Sequence, residues 1–155
     1  MPEAAPLLGE PGCFLFEALR DRVSEKVRAH HGAVEPVNSL ISWISGPEGC
    51  VAEDDEPPPR AFDWQHDALQ GTYAPHVDKA NQPVYDVSAL LYLTTAGEDF
   101  SGGAFAFNDE DCDRLVRPSA GRLLTFTSGF ENLHQVRPVR YGERLVLSIW
   151  YRALA

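Results

Sequence analysis

The segment "RLVLSIWYRA" (residues 144–153) has two faces of different chemistry when it is read as a strand. Successive side chains of a strand point to opposite faces, so its residues divide into two alternating sets. One set is wholly apolar and comprises Leu145, Leu147 and Ile149. The other set comprises Arg144, Val146, Ser148 and Trp150. The apolar face suits packing against a helix, whereas the other face brings a guanidinium into the interior of a sandwich, where an unpaired charge would be costly.

Short β-type runs precede this segment from about residue 70 onward, and Gly, Pro, Asn and Asp separate them. The predicted strands are residues 84–95, 102–107, 114–118, 122–128 and 133–139. Many short strands without intervening helices indicate a β-sandwich or barrel such as a jelly roll. Residues 33–45 are also predicted as extended chain and strand.

One amphipathic helix is predicted at residues 13–31, "CFLFEALRDRVSEKVRAHH". Its apolar face consists of Phe16, Leu19, Val23 and Val27, with charged residues opposite. Gly32 follows as a helix stop. The fold class predicted is therefore mainly β, with an N-terminal helix packed on one sheet.

The composition of the 155 residues, 44% hydrophobic and 23% charged, predicts a single folded domain, residues 1–155. The formal net charge of -10 repels phosphate backbones, so no nucleic acid partner is expected. The same field attracts a cationic substrate, or cationic residues that flank one. Residues 46–60 are an acidic, proline-rich loop that could contact a basic partner, although a solvated loop is the simpler interpretation.

Targeting and redox signals are sparse in this sequence. Cys13, Cys50 and Cys112 are odd in number and form no CxxC pair, which indicates a reducing compartment. The first twelve residues lack the basic region and apolar core of a secretory signal. No apolar run approaches the roughly 20 residues needed to cross a bilayer. We therefore expect a cytoplasmic protein with no membrane association, although a domain excised from a longer precursor would have the same sequence features.

A histidine and an aspartate, His76 and Asp78, stand two positions apart in "APHVDKA" (residues 74–80). In extended chain both side chains lie on one face and can reach the same point in space. His134 lies on a later predicted strand that a jelly roll could bring back beside the first. Two imidazoles and one carboxylate form the facial arrangement of non-haem Fe(II) oxygenases, with zinc as the competing metal. The alternative is a surface turn with two polar residues.

Arg144 follows His134 by ten residues and begins the last predicted strand. A carboxylate ligand would compensate its buried charge, because the planar guanidinium binds carboxylate through two parallel hydrogen bonds. The alternative is an arginine at a strand end, paired with an acidic side chain on the rim. The upstream His-x-Asp pair favours the ligand-binding interpretation.

Together these residues resemble the Fe(II)- and 2-oxoglutarate-dependent dioxygenases, and more narrowly their prolyl-hydroxylase-like branch. The stretches "HVDK", "VSALLYLT", "FSGGAFAF" and "GRLLTFTSGFENLHQVRPVRYGERLVLSIWY" are similar to prolyl 3-hydroxylases of the leprecan type and related oxygenase-domain proteins. The resemblance covers about residues 70–152. It implies a double-stranded β-helix jelly roll. Collagen-type prolyl 4-hydroxylases usually carry Lys at the position of Arg144, so the resemblance is to the Arg-bearing members.

The resemblance also implies a set of functional residues. His76, Asp78 and His134 would hold Fe(II). Arg144 would bind the distal carboxylate of 2-oxoglutarate, helped by the hydroxyl of Tyr92. O2 would be the second cosubstrate, and ascorbate the reductant.

Three further positions match the family. Ser148 and Trp150 correspond to inward-facing positions beside the cosubstrate, and Tyr73 to a position at the mouth of the pocket. The alternative for Tyr92 and Trp150 is ordinary aromatic packing in the core, and Tyr73 fits a rim residue equally well.

The function expected is hydroxylation of a C–H bond in a prolyl or other residue of a polypeptide, with release of succinate and CO2. A free small molecule is the alternative acceptor. A cupin-like metal-dependent isomerase or hydrolase and a catalytically silent binding module are the alternatives from other classes. The oligomeric state is left open by the sequence.

Overall fold

The computed structural model of the chain describes residues 5–46 and 74–154. Helix α1 spans Ala5–His31, so the predicted helix is confirmed and extends further toward the N-terminus. A break at Gly9, where φ is 63°, interrupts the helical backbone ahead of Pro11. Of the predicted acidic loop, residues 46–60, only Gly46 belongs to the described residues. Cys50 and Tyr73 therefore lie outside the described residues.

The remaining elements are one short helix and eight strands in the described part of the chain. They are β1 (Val34–Ser45), α2 (Asp78–Asn81), β2 (Val87–Tyr92), β3 (Phe100–Gly102), β4 (Phe105–Phe107), β5 (Arg114–Val116), β6 (Leu123–Thr127), β7 (His134–Val136) and β8 (Val139–Ala153). The larger sheet has the order β1-β8-β2-β6, with β3 also paired to β8, and the smaller sheet has the order β5-β4-β7. All pairings between these strands are antiparallel.

The predicted strand at residues 102–107 is divided in two. Gly102 and Gly103 both have positive φ angles, 70° and 66°, so the chain turns between β3 and β4 and passes from one sheet to the other. Residues other than glycine rarely adopt this backbone conformation. The break places β4 beside β7, the strand that begins with His134.

The two faces of β8 pack as the sequence predicts. Leu147 and Ile149 belong to an apolar cluster with Val23 and Val27 of α1. On the opposite face, Val146 belongs to a second cluster between the sheets, made of Leu90, Tyr92, Phe105, Phe107 and Phe126. Burial at about 25 cal/mol per Å² of apolar surface favours both layers. The larger sheet therefore separates a helix-facing core from a mainly aromatic interior.

Within the described ranges, no helix is both long and apolar enough to span a bilayer. Helix α1 is long, but its exposed side carries charged residues such as Arg22 and Lys26.

Candidate metal centre

Three side chains with metal-ligating atoms converge at one end of the aromatic interior. The ligand atoms of His76, Asp78 and His134 all lie within 4.8 Å of one another. Oδ1 of Asp78 is 3.6 Å from Nε2 of His76 and 3.8 Å from Nε2 of His134. The His134 and Asp78 side chains are 5% and 9% exposed, whereas that of His76 is 37% exposed. The site therefore opens to solvent on the side of His76.

Main-chain hydrogen bonds hold the two histidines opposite each other. The amide of His76 donates to the carbonyl of His134 at 2.8 Å, and the amide of His134 donates back at 3.0 Å. This reciprocal pair forms an isolated antiparallel bridge. The predicted adjacency of the two segments is confirmed.

The local backbone at Asp78 differs from the prediction. Both residues of the His-x-Asp pair were expected in extended chain, but only His76 lies there. Val77 is extended, and Asp78 is the first residue of the short helix α2. The carboxylate nevertheless reaches the imidazoles, because the chain turns immediately after Val77.

Both imidazoles have a fixed tautomer. Nδ1 of His76 lies 3.0 Å from the carbonyl oxygen of Ala74, and Nδ1 of His134 lies 2.8 Å from that of Asn132. A carbonyl only accepts, so each Nδ1 carries a proton, and in the neutral imidazole the lone pair is then on Nε2, toward the site. Burial, and secondarily the charge of His76, lower the pKa of His134. Both effects keep this imidazole neutral, which is the form that binds a metal.

The carboxylate of Asp78 has a further partner that the sequence did not reveal. The hydroxyl of Ser88 donates to Oδ2 of Asp78 at 2.6 Å, and Oγ of Ser128 lies 2.7 Å from Oγ of Ser88. A serine on an inward-facing strand position carries no spacing signal, so only the structure could identify it.

Arg144 and Tyr92 lie in the same interior, both almost fully buried at 2% and 0% exposed. Nε of Arg144 donates to the carbonyl of Gly103 at 2.9 Å, and its Cζ lies 5.6 Å from the centre of the Tyr92 ring. The Tyr92 hydroxyl has no hydrogen-bond partner among the described residues. Burial raises its pKa to about 12 despite the opposing charge of Arg144, so it remains a donor at neutral pH. A buried cation beside an unsatisfied phenol is suited to bind an anionic group.

The aromatic cluster connects Arg144 and Tyr92 to the three side chains with metal-ligating atoms. The His134 ring packs on Phe105 and Phe126, with centroid distances of 5.0 and 5.1 Å. Both phenylalanines belong to the interior cluster that contains Tyr92. The two sets of polar groups therefore border one apolar interior.

Of the remaining predicted residues, Ser148 is buried and Trp150 is half-buried. The Trp150 ring stacks on Tyr85 with a centroid distance of 5.2 Å and an interplanar angle of 11°. The Tyr85 hydroxyl accepts a hydrogen bond from Asn38 at 2.7 Å. Trp150 thus takes part in aromatic packing, and its place beside a cosubstrate stays a prediction.

A cavity of about 590 Å³ lies elsewhere, between α1 and the larger sheet. Its lining includes Leu19, Leu91 and Leu123, which pack with the helix-facing core. None of the three metal-ligating residues lines it. The polar residues of its lining are Arg22, Lys26 and Tyr92, with no histidine or carboxylate among them, so we place the candidate metal centre at the His-Asp-His cluster.

Comparison with known proteins assigns the family. The sequence model described as "2OG-Fe(II) oxygenase superfamily" matches residues 64–152, more than half of the chain. The chain belongs to the 2OG-Fe(II) oxygenase superfamily. The chain is 48% identical over 75 residues to 2-oxoglutarate and iron-dependent oxygenase domain-containing protein 3 of Xenopus tropicalis, covering 48% of the chain and 24% of that protein. It is 39% identical over 69 residues to prolyl 3-hydroxylase 2 of Rattus norvegicus, covering 43% of the chain and 9% of that protein. The chain thus spans a quarter or less of the length of these relatives.

Solved structures share the fold. A prolyl-4-hydroxylase of Pseudomonas putida superposes with a TM-score of 0.59 at 26% identity, over 93% of this chain and 66% of that one. A prolyl hydroxylase of Trichoplax adhaerens, in complex with a hypoxia inducible factor oxygen degradation domain peptide fragment, gives 0.60 at 21% identity, over 94% and 59%. The predicted jelly roll and the prolyl-hydroxylase-like resemblance are confirmed.

The residues present fit an Fe(II) ion. Two neutral imidazole nitrogens and one carboxylate oxygen are the donor set that non-haem Fe(II) oxygenases use. In the described part of the chain the cluster has three members rather than the four of a closed structural zinc site.

Proposed function

We propose that the protein is an Fe(II)- and 2-oxoglutarate-dependent dioxygenase that hydroxylates a C–H bond of an acceptor and releases succinate and CO2. The observation that supports the proposal is an open His-Asp-His cluster that borders the same aromatic interior as the buried Arg144 guanidinium and Tyr92 hydroxyl. A metal-dependent isomerase or hydrolase would need the first feature but not the second.

The metal ligands would be Nε2 of His76, Nε2 of His134 and Oδ1 of Asp78. When bound, iron supplies O2 activation and redox chemistry, and ascorbate is the reductant that would keep it ferrous. The protein fixes the ligand geometry and leaves the solvent side, next to His76, open for cosubstrate and acceptor.

Arg144 would hold the distal carboxylate of 2-oxoglutarate through its guanidinium, and Tyr92 would donate one further hydrogen bond. Their burial strengthens both interactions, because little water competes for the carboxylate. Ser148 and Trp150, four and six positions after Arg144 on β8, would line the path between the carboxylate and the metal. The aromatic cluster would exclude water from the reacting atoms.

The acceptor we propose is a prolyl or other residue of a polypeptide, with a free small molecule as the alternative. The names of the relatives support this choice, as does the peptide bound to the Trichoplax adhaerens structure. The net charge of -10 favours basic residues around the target, and the acidic run at residues 52–56 would contact them. Tyr73 would stand at the pocket mouth. These parts would form a single domain, residues 1–155, located in the cytoplasm.

The test of the reaction class compares His76→Ala and Asp78→Ala with His30→Ala, an exposed histidine at the end of α1. The first two variants should lose iron binding and succinate release, and the control should keep both. Calorimetry with 2-oxoglutarate distinguishes the proposed dioxygenase from a cupin-like isomerase or hydrolase, since the latter would not bind 2-oxoglutarate. Turnover that persists in either ligand variant would refute the ligand assignment, and metal and 2-oxoglutarate binding without turnover would favour a silent module.

The test of the acceptor measures succinate release over proline-containing peptides and free amino acids, at low and high salt. We expect stimulation by peptides with basic flanks, weakening as salt rises. Stimulation by free small molecules alone would refute the peptide proposal. If peptides stimulate turnover equally with and without basic flanking residues, and at low and high salt, residues 52–56 do not contact the substrate.

A further inference from the structure

The two carboxylate oxygens of Asp78 have different surroundings. Oδ1 lies nearest the two imidazoles, at 3.6 and 3.8 Å. Oδ2 accepts the hydrogen bond from Ser88 at 2.6 Å. Ser88 is 0% exposed, so water does not compete for this contact. The short distance is typical of a hydroxyl that donates to an ionised carboxylate.

A second hydroxyl determines the direction of the hydrogen bonds. Ser88 has one proton, and a metal-binding carboxylate can only accept, so that proton points at Asp78. The contact of 2.7 Å between the two serine hydroxyls must then be donated by Ser128. Ser128 is 1% exposed. The result is a directed chain from Ser128 to Ser88 to Asp78, in which each bond polarises the next.

The backbone fixes the positions of both serines in this series of hydrogen bonds. Ser88 belongs to β2, and Ser128 follows the last residue of β6. The amide of Ser128 donates to the carbonyl of Asp86 at 2.9 Å, and its carbonyl accepts from the amide of Lys79, in α2, at 3.0 Å. The serine pair therefore connects the start of α2 to two strands of the larger sheet.

We propose that Ser88 is a positioning residue that holds Asp78 as a one-oxygen metal ligand, with Ser128 orienting the Ser88 hydroxyl. The inference rests on the proposed function. A carboxylate that bound through both oxygens would occupy one more position at the metal, which the cosubstrates need. With Oδ2 engaged by Ser88, only Oδ1 is presented to the metal.

The test measures metal affinity in full-length variants, by anaerobic Fe(II) titration and by the visible absorption spectrum with Co(II). Ser88→Ala should bind Fe(II) about 10- to 100-fold more weakly, the range found when outer partners of metal ligands are removed. It should also change the Co(II) spectrum, because the carboxylate is free to bind through two oxygens. Ser128→Ala should have a smaller effect of the same sign. Ser101→Ala is the matched control, since Ser101 is buried but has no side-chain hydrogen bond in the part of the chain that the structure describes.

The outcomes separate this inference from the proposed function. A wild-type chain that binds neither Fe(II) nor Co(II) overturns the proposed function, and the inference with it. Wild-type binding with unchanged affinity and spectrum in Ser88→Ala overturns only the inference. A purely structural role would lower the melting temperature of metal-free Ser88→Ala while leaving its Fe(II) affinity and Co(II) spectrum unchanged, and that result also overturns the inference. If Ser88→Ala does not fold, Ser88→Cys retains the volume with a weaker donor, and the same comparison applies.

Discussion

The Tyr92 hydroxyl gives a prediction in which stability and ligand binding change in opposite directions. Tyr92 is 0% exposed, and its hydroxyl has no partner among the residues described. In the metal-free and cosubstrate-free protein this group is desolvated without compensation. In the proposed complex it donates to the distal carboxylate of 2-oxoglutarate. Tyr92→Phe removes the hydroxyl and leaves the ring in the aromatic cluster.

The magnitudes follow from the burial and the charge of the acceptor. An unsatisfied buried polar group costs about 1–3 kcal/mol, so the free energy of unfolding of the unliganded variant should rise by about 1 kcal/mol. For a chain of this size, that raises the melting temperature by about 2–4 °C. A hydrogen bond to a charged group is worth about 1.5–3 kcal/mol. At about 1.4 kcal/mol per tenfold change, 2-oxoglutarate should bind about 10- to 150-fold more weakly.

Two assays measure the two effects. Thermal unfolding of the unliganded protein reports stability, and calorimetry with 2-oxoglutarate and a redox-inert divalent metal reports affinity. Tyr151→Phe is the matched control, because Tyr151 is equally buried but its hydroxyl lies 3.1 Å from that of Ser24, on the helix side of the sheet. It should lose about 1 kcal/mol of stability and keep its affinity for 2-oxoglutarate. The reasoning is refuted if Tyr92→Phe binds 2-oxoglutarate as tightly as the wild type, or if it is destabilised as Tyr151→Phe is.

Three further outcomes are expected. Arg144→Lys should raise the KM for 2-oxoglutarate at least about tenfold in a succinate assay, because lysine lacks the planar fork, and an unchanged KM would contradict the assignment. Asp113→Ala should lower the free energy of unfolding in urea by about 1.5–3 kcal/mol, since it removes a buried carboxylate that accepts a hydrogen bond from the Arg137 guanidinium. An unchanged free energy of unfolding would contradict this. Burial raises the pKa of Tyr92 to about 12, and that of Tyr151 also rises, from an ordinary value of 10. The folded state therefore favours the protonated phenols, so stability is fully present below pH 10 and falls as pH rises toward 12, with a shallower decline in Tyr92→Phe.

The faces of the strands were predictable because they depend on alternation alone. The opposite placement of Val146 and Leu147 follows from their neighbouring positions in one strand, whatever the loops do. The convergence of His76 and His134 was predictable for a similar reason, since a jelly roll returns the later strand beside the earlier one. Burial of apolar side chains enforces the alternation along β8, and strand pairing brings His76 and His134 together.

Local geometry was less predictable. The helix that begins at Asp78 is only four residues long and has no side-chain cap, so no sequence signal distinguishes it from extended chain. The early start of β8 at Val139 was missed, because Val139 was assigned to the end of the preceding predicted strand, residues 133–139, and the next strand was predicted to begin only at Arg144. Ser88 was missed because its role depends on a contact ten residues away in the chain.

The reciprocal main-chain pair between His76 and His134 has a consequence for how such a chain can change over generations. The loops around the site can lengthen or shorten without moving either imidazole, because the main-chain hydrogen bonds between the two histidines set the separation of the imidazoles. A single-residue insertion within β7 is different, since it would turn the His134 side chain to the opposite face of the smaller sheet. A chain that keeps this bridge can therefore tolerate changes of length in the surrounding loops, whereas the two paired segments accept substitutions but not changes in length.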